Sequence, residues 1–170
     1  MDHKTIHVLF VCTGNSCRSP MAEWILKDLL NQHGIENILV ESAGTMAPQN
    51  RLPTNYALMI MVERGIDISL HRSKILTKQM IEKADLILVM EKAHQLFIEE
   101  LVPLSKGKVF LLKSYGSGGS DQDIQDPIGR DLEFYRHCRE ELEREIVRVL
   151  PDMIRLISAD NGDSDSETGK

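Results

Sequence analysis

A chain of 170 residues, 42% hydrophobic and 27% charged, suits one globular domain around a single core. Its net charge of −6, with no basic stripe and no apolar run of spanning length, argues against nucleic-acid binding and membrane insertion. Three cysteines form no disulfide framework, neither they nor the histidines are spaced for zinc, and nothing calls for a metal or cofactor.

Residues 5–11 are predicted as a buried strand, because Val8 to Val11 are continuously apolar, as in a parallel sheet covered on both faces. Asp2-His3-Lys4 leads straight into it, so no signal peptide is expected. Residues 19–33 carry a helical pattern with Ala22, Ile25, Leu26, Leu29 and Leu30 on one side, Trp24 as a packing residue and His33-Gly34 as the stop. Between strand and helix lies Cys12-Thr13-Gly14-Asn15-Ser16-Cys17-Arg18-Ser19-Pro20.

That loop is built for a thiolate attacking a phosphorus atom. A free thiol, with a pKa of about 8.5, is mostly protonated at neutral pH, and a helix N-terminus with a nearby guanidinium is expected to lower it. The amides of residues 13–18 can form an anion-binding nest. Gly14 is expected to make the tight turn without a Cβ clash. Arg18 can hold two phosphate oxygens bidentately, which lysine cannot. The Ser19 hydroxyl can bond the Cys12 sulfur, and Pro20 fits the first helical turn. A cysteine of this kind belongs in a reducing cytoplasm.

Farther along, residues 37–41 read as a short strand opening into Ser42-Ala43-Gly44, small residues that suit close approach of another backbone. A two-proline loop, Met46 to Pro53, precedes a helix over 54–64 with Ala57, Leu58, Ile60, Met61 and Val62, ended by Gly65. Its methionines read as core. Thr77 is the N-cap of a short helix to Lys83. Leu86–Met90 and Val109–Leu112 read as further strands, with a helix over Glu91–Leu101 between them. Strands alternating with helices predict a single three-layer α/β domain over residues 1–158, a four-stranded parallel sheet flanked by helices with the phosphate loop after strand 1. Ligands of such sheets lie at the carboxyl ends of the strands, where Cys12 falls.

Residues 114–125, rich in Gly, Ser and Asp, read as a mobile surface loop delivering Asp126-Pro127. The proline restricts Asp126, and a positioned carboxyl can protonate a leaving atom and later deprotonate a water. Asp121, Asp123 and Asp131 are local alternatives. From Asp131 to Ser158 the pattern is helical, with Leu132, Tyr135, Leu142, Ile146, Val149, Met153 and Leu156 on one face and Cys138 packing beside them. Pro151 is expected to kink or break this helix. Residues 159–170 read as a disordered tail, and neither an internal repeat nor a second domain appears.

The residues from Cys12 to Glu23 closely resemble the phosphate loop of the low-molecular-weight protein tyrosine phosphatase family, which includes protein arginine phosphatases. Ser42-Ala43-Gly44-Thr45, His71-Arg72-Ser73, Ala84 to Met90 and Asp126-Pro127 resemble further family landmarks in the same order, so the likeness covers residues 5–150. It implies a phosphoprotein phosphatase acting through a cysteinyl-phosphate, with Cys12 as nucleophile, Arg18 holding the phosphoryl group and Asp126 as acid and base. It also implies loop support from Thr13, Gly14, Asn15, Ser16, Cys17 and Ser19, a bond from Ser42 to Asn15, and bracing by His71. Cys17 is implied as a reversible disulfide partner of Cys12 under oxidant. Met46 to Pro53 is implied as a cleft wall, without the aromatic residue that tyrosine phosphatases often carry there.

Two positions bear on the substrate. Ser16 stands where many tyrosine phosphatases of the family carry a bulky aliphatic residue and arginine phosphatases a threonine. Ile128 stands where tyrosine phosphatases usually have a ring-stacking tyrosine. Both lean toward phosphoarginine, and the family as a whole toward phosphotyrosine. Arsenate reductases share the fold, but residues 18–137 lack the relay cysteines they need. A non-catalytic phosphopeptide-binding module would keep Arg18 without needing Cys12 or Asp126.

Overall fold

The structure is a computed structural model that describes residues 4–159. In chain order the elements are β1 (Ile6–Cys12), α1 (Arg18–Gln32), β2 (Ile38–Gly44), α2 (Asn55–Val62), α3 (Lys78–Lys83), β3 (Leu86–Val89), α4 (Lys92–Leu101), β4 (Val109–Leu111) and α5 (Leu132–Ala159), with a 3-10 turn over Pro103–Ser105. The four strands are parallel in the order β2-β1-β3-β4. The chain moves outward from β1 to β2, then returns to β1's other side with β3. The carboxyl end of β1 is therefore the point where strand order reverses, the usual position of a ligand crevice.

Alternation along β1 builds two cores. Ile6, Val8, Phe10 and Cys12 face a cluster with Met21, Ile25 and Leu26 of α1, Ile60 and Met61 of α2, and Leu142, Ile146 and Val149 of α5. Leu9 and Val11 face the opposite cluster with Ile81 of α3 and Ile98 of α4. Helices thus cover both faces, which is why β1 reads as an unbroken apolar run. Trp24 packs against the first cluster, with Lys27 Nζ 4.8 Å from its ring centroid. Cys138 is buried in the same cluster.

Local signals place several boundaries. The Thr77 side chain accepts from the Met80 N–H, and that of Thr54 from the Ala57 N–H, each capping its helix. Gly65, with φ +72, reverses the chain after α2. Not every methionine is core, because Met59 is exposed on α2 while Met61 is buried.

Two expectations need correction. The second strand does not stop at 41: β2 pairs with β1 through Ser42↔Phe10, Ala43↔Val11 and Gly44↔Cys12. Ladder pairing outweighs the weak strand preference of these small residues. Pro151 does not break α5, which is continuous to Ala159. The carbonyl that proline leaves without a donor belongs to Val147, an exposed residue, so water can satisfy it. The 114–125 segment is exposed along most of its length but tethered at both ends. Arg148 donates to the carbonyls of Leu112, Lys113, Tyr115 and Ser117, and the buried Ile124 donates its N–H to Met90 O at 2.8 Å. Ala159 is helical, and the tail expected beyond it lies outside the described residues. Among the described residues no helix is long and apolar enough to cross a membrane.

Candidate active site

Residues 13–17 curl from the end of β1 into α1, and the Asn15 N–H returns to Cys12 Sγ at 3.3 Å. The left-handed residue of the turn is Asn15, with φ 50, and not Gly14. Asparagine tolerates this region better than most residues, and a right-to-left-handed step is what shapes an amide nest. At Gly14 a Cβ would stand 3.3 Å from Ser16 Oγ, the end of a side chain that can give by a few tenths of an ångström. Among the described residues the N–H groups of Gly14, Ser16, Cys17 and Arg18 meet no protein acceptor. A row of unpaired amides at a helix start suits an anion.

Asn15 is fully buried and fully bonded. Its Nδ2 donates to Ser19 Oγ and to Ser42 Oγ, both at 2.9 Å, while Oδ1 accepts from the Lys74 N–H at 3.0 Å. Its carbonyl can only accept, so His71 Nε2, 3.1 Å away, carries the hydrogen. Ser42 in turn donates to Glu23 Oε2 at 2.5 Å, and Glu23 is tied to Lys27. Ser42 and His71 thus both hydrogen-bond Asn15, the first at its side-chain amide and the second at its backbone carbonyl.

Cys12 Sγ lies 2.8 Å from Ser19 Oγ. Because Asn15 already donates to Ser19, the Ser19 hydroxyl hydrogen is left for the sulfur, its alternative acceptor being Ala43 O at 3.5 Å. Burial is the largest influence on Cys12 and pushes the thiol up, while Arg18 and hydrogen bonds from Ser19 and Asn15 pull it down. This departs from the lowered thiol expected of the loop. Desolvation by burial is a cost that sequence spacing does not reveal. Cys17 is also a free, buried thiol, with its sulfur 3.4 Å from Tyr135 Oη and 3.5 Å from Thr54 Oγ1. Thr54 also donates its N–H to Ser16 O.

Arg18 is 1% exposed. Its Nη1 donates to Glu91 Oε1 and to Ile124 O, the latter at 2.7 Å, and Nη2 lies 3.4 Å from Asp126 Oδ2. The Nε edge is left for a further acceptor. Asp126 Oδ1 accepts from the Ile128 N–H at 3.1 Å, a local turn that aims its other oxygen at Arg18. Glu91 was not singled out in the sequence, nor were His94, Thr54 and Tyr135. The signal for Glu91 was its place just before α4, where it caps the helix reciprocally with His94.

Close packing beneath the loop makes Gly44 critical. A Cβ there would collide with the Thr13 carbonyl and stand 2.8 Å from Ala47 Cβ and 2.9 Å from Asn15 N. Backbone atoms cannot give way as a side-chain end can. Gly44→Ala is expected to cost about 1–3 kcal/mol of stability, read by urea unfolding, and to lower turnover by distorting residues 13–15. A variant with unchanged midpoint and rate would show that the loop yields freely.

The family described as low molecular weight phosphotyrosine protein phosphatase matches residues 7–157. A Bacillus subtilis (strain 168) protein named protein-arginine-phosphatase is 39% identical over 148 residues, 87% of this chain and 96% of its own. An Acinetobacter johnsonii protein named low molecular weight protein-tyrosine-phosphatase Ptp is 37% identical over 129 residues, 76% of this chain and 84% of its own. The solved structure of a cysteine-to-serine mutant of the arginine phosphatase YwlE, with a phosphorylated active-site serine, superposes with a TM-score of 0.82 at 37% identity, covering 88% of this chain and 96% of that one.

Proposed function

The chain belongs to the low-molecular-weight phosphotyrosine protein phosphatase family, and from that premise we propose that it hydrolyses phosphorylated protein side chains through a phosphoryl group carried on Cys12. The observation behind this reading is the convergence of a loop thiol, a guanidinium and a carboxylate, with Arg18 Nη2 3.4 Å from Asp126 Oδ2.

In the first step Cys12, reacting as its thiolate, attacks phosphorus. The S–P bond forms as the bond to the leaving oxygen or nitrogen breaks, and Asp126 gives the leaving group its proton. The unpaired amides and the free edge of Arg18 hold the phosphoryl oxygens as charge shifts onto them. In the second step Asp126 takes a proton from water, water attacks phosphorus, and the S–P bond breaks. The thiolate then leaves into the hydrogen bonds of Ser19 and Asn15. These two donors and Arg18 pull against the burial that raises the thiol, the largest influence on it. No step calls for a cofactor, and the chemistry fits a reducing cytoplasm.

Of the two substrate classes, the site favours phosphoarginine. Ser16 Oγ lies in the loop, 3.7 Å from Cys17 Sγ, and offers a hydroxyl where many tyrosine phosphatases of the family carry a bulky aliphatic residue. Ile128 is 57% exposed on the segment that carries Asp126 and cannot stack as a tyrosine would. Phosphate release from matched phosphoarginine and phosphotyrosine peptides tests this. Phosphoarginine should be preferred, and Ser16→Ile should lower its kcat/KM about 10-fold while sparing phosphotyrosine. Preference for phosphotyrosine in the wild type would contradict the assignment of Ser16.

A further inference from the structure

We propose that His94 is a positioning residue for the phosphate loop, tying Thr13 to the start of α4 and, through Glu91, to Arg18; this rests on the phosphatase reading above. His94 is 4% exposed in the first turn of α4. Its Nδ1 lies 3.1 Å from the Glu91 N–H, which can only donate, so the ring hydrogen sits on Nε2. Nε2 lies 2.8 Å from Thr13 Oγ1 and therefore donates to it. The Thr13 hydroxyl keeps its own hydrogen for another acceptor.

The two ends of the imidazole thus reach two parts of the site. Thr13 directly follows Cys12, and its carbonyl accepts from the Met46 N–H at 2.9 Å. Glu91, fixed at its N–H by His94, places its carboxylate on Arg18. A second ring proton would set Nδ1–H against the Glu91 N–H, donor against donor. Burial and then Arg18 hold His94 below the usual imidazole range, against the opposing pull of Glu91, Asp123 and Asp126.

A double-mutant cycle separates this role from a general structural one. His94→Gln keeps a side-chain acceptor for the Glu91 N–H, as glutamine does in a capping box, but gives up the donor to Thr13. Thr13→Val keeps the side-chain shape and removes the hydroxyl. Each is expected to lower kcat/KM and to weaken binding of inorganic phosphate by about 10-fold, the scale of one buried hydrogen bond. The double variant should be no worse than either single one. Effects that multiply to about 100-fold, or a His94→Gln variant equal to wild type in both measurements, would overturn the proposal. Failure of the wild type to release phosphate from phosphopeptides would sink the phosphatase reading, while the phosphate-binding cycle would still judge His94.

Discussion

Cys12→Ser is expected to lower kcat by about 10⁴-fold or more while the protein still binds inorganic phosphate, measured by initial rates and equilibrium titration. The substitution exchanges sulfur for oxygen at the end of β1 and leaves the loop's other anchors in place. Asn15 keeps its bonds to Ser19, Ser42 and Lys74, and Arg18 its bonds to Glu91 and Ile124. What is lost is the nucleophile. A hydroxyl holds its proton far more tightly than a thiol, and the burial that already pushes Cys12 up acts on an alkoxide in the same direction. The donors that stabilise a leaving thiolate cannot make serine an equivalent one. Full turnover by this variant would remove Cys12 from the chemistry.

Asp126→Asn is expected to lower kcat on phosphopeptides by about 10²–10⁴-fold, the span of general acid–base catalysis. The loss should depend on the leaving group. An aryl phosphate such as p-nitrophenyl phosphate releases an anion that needs no proton, so its first step survives and the second becomes limiting. Pre-steady-state kinetics should then show a burst. Binding should move the other way. Asp126 Oδ2 faces Arg18 Nη2 at 3.4 Å and competes with an incoming dianion for the same cation. Replacing the carboxylate removes that competition, so inorganic phosphate should bind more tightly. Equal losses on all leaving groups, with weaker phosphate binding, would assign Asp126 to structure alone.

Much of this site could be read from the sequence because its chemistry is local. Cys12, Arg18 and Ser19 lie within one strand-loop-helix junction, and their spacing alone brings sulfur, guanidinium and hydroxyl together. Thr77 and Gly65 mark helix ends by cap and turn chemistry that needs no tertiary contact. The misses share a different cause. Glu91 reaches Arg18 across 73 positions because β3 lies beside β1, a neighbour relation set by sheet order. Tyr135 meets Cys17 across 118 positions because α5 and α1 cover the same face. Neither relation leaves a periodic trace in the chain.

The remaining corrections come from competition between local preference and tertiary context. Glycine is the usual left-handed residue of a tight loop, yet Asn15 takes that conformation because its side chain and carbonyl are bonded on three sides. Ser42 to Gly44 have little preference for strand but complete a ladder with β1. Pro151 lacks a donor where the orphaned carbonyl can reach water. Cys12 sits in the electropositive loop that the sequence describes, but it is also buried in the core cluster shared with α1, α2 and α5.

The most direct test is to quench Asp126→Asn during turnover of p-nitrophenyl phosphate and map the phosphoryl group by mass spectrometry of the digested protein. The phosphoryl group is expected on Cys12, and Cys12→Ser treated identically should carry no thiol-bound phosphate. Steady turnover with unmodified Cys12 throughout, or with the phosphoryl group on another residue, would contradict the account.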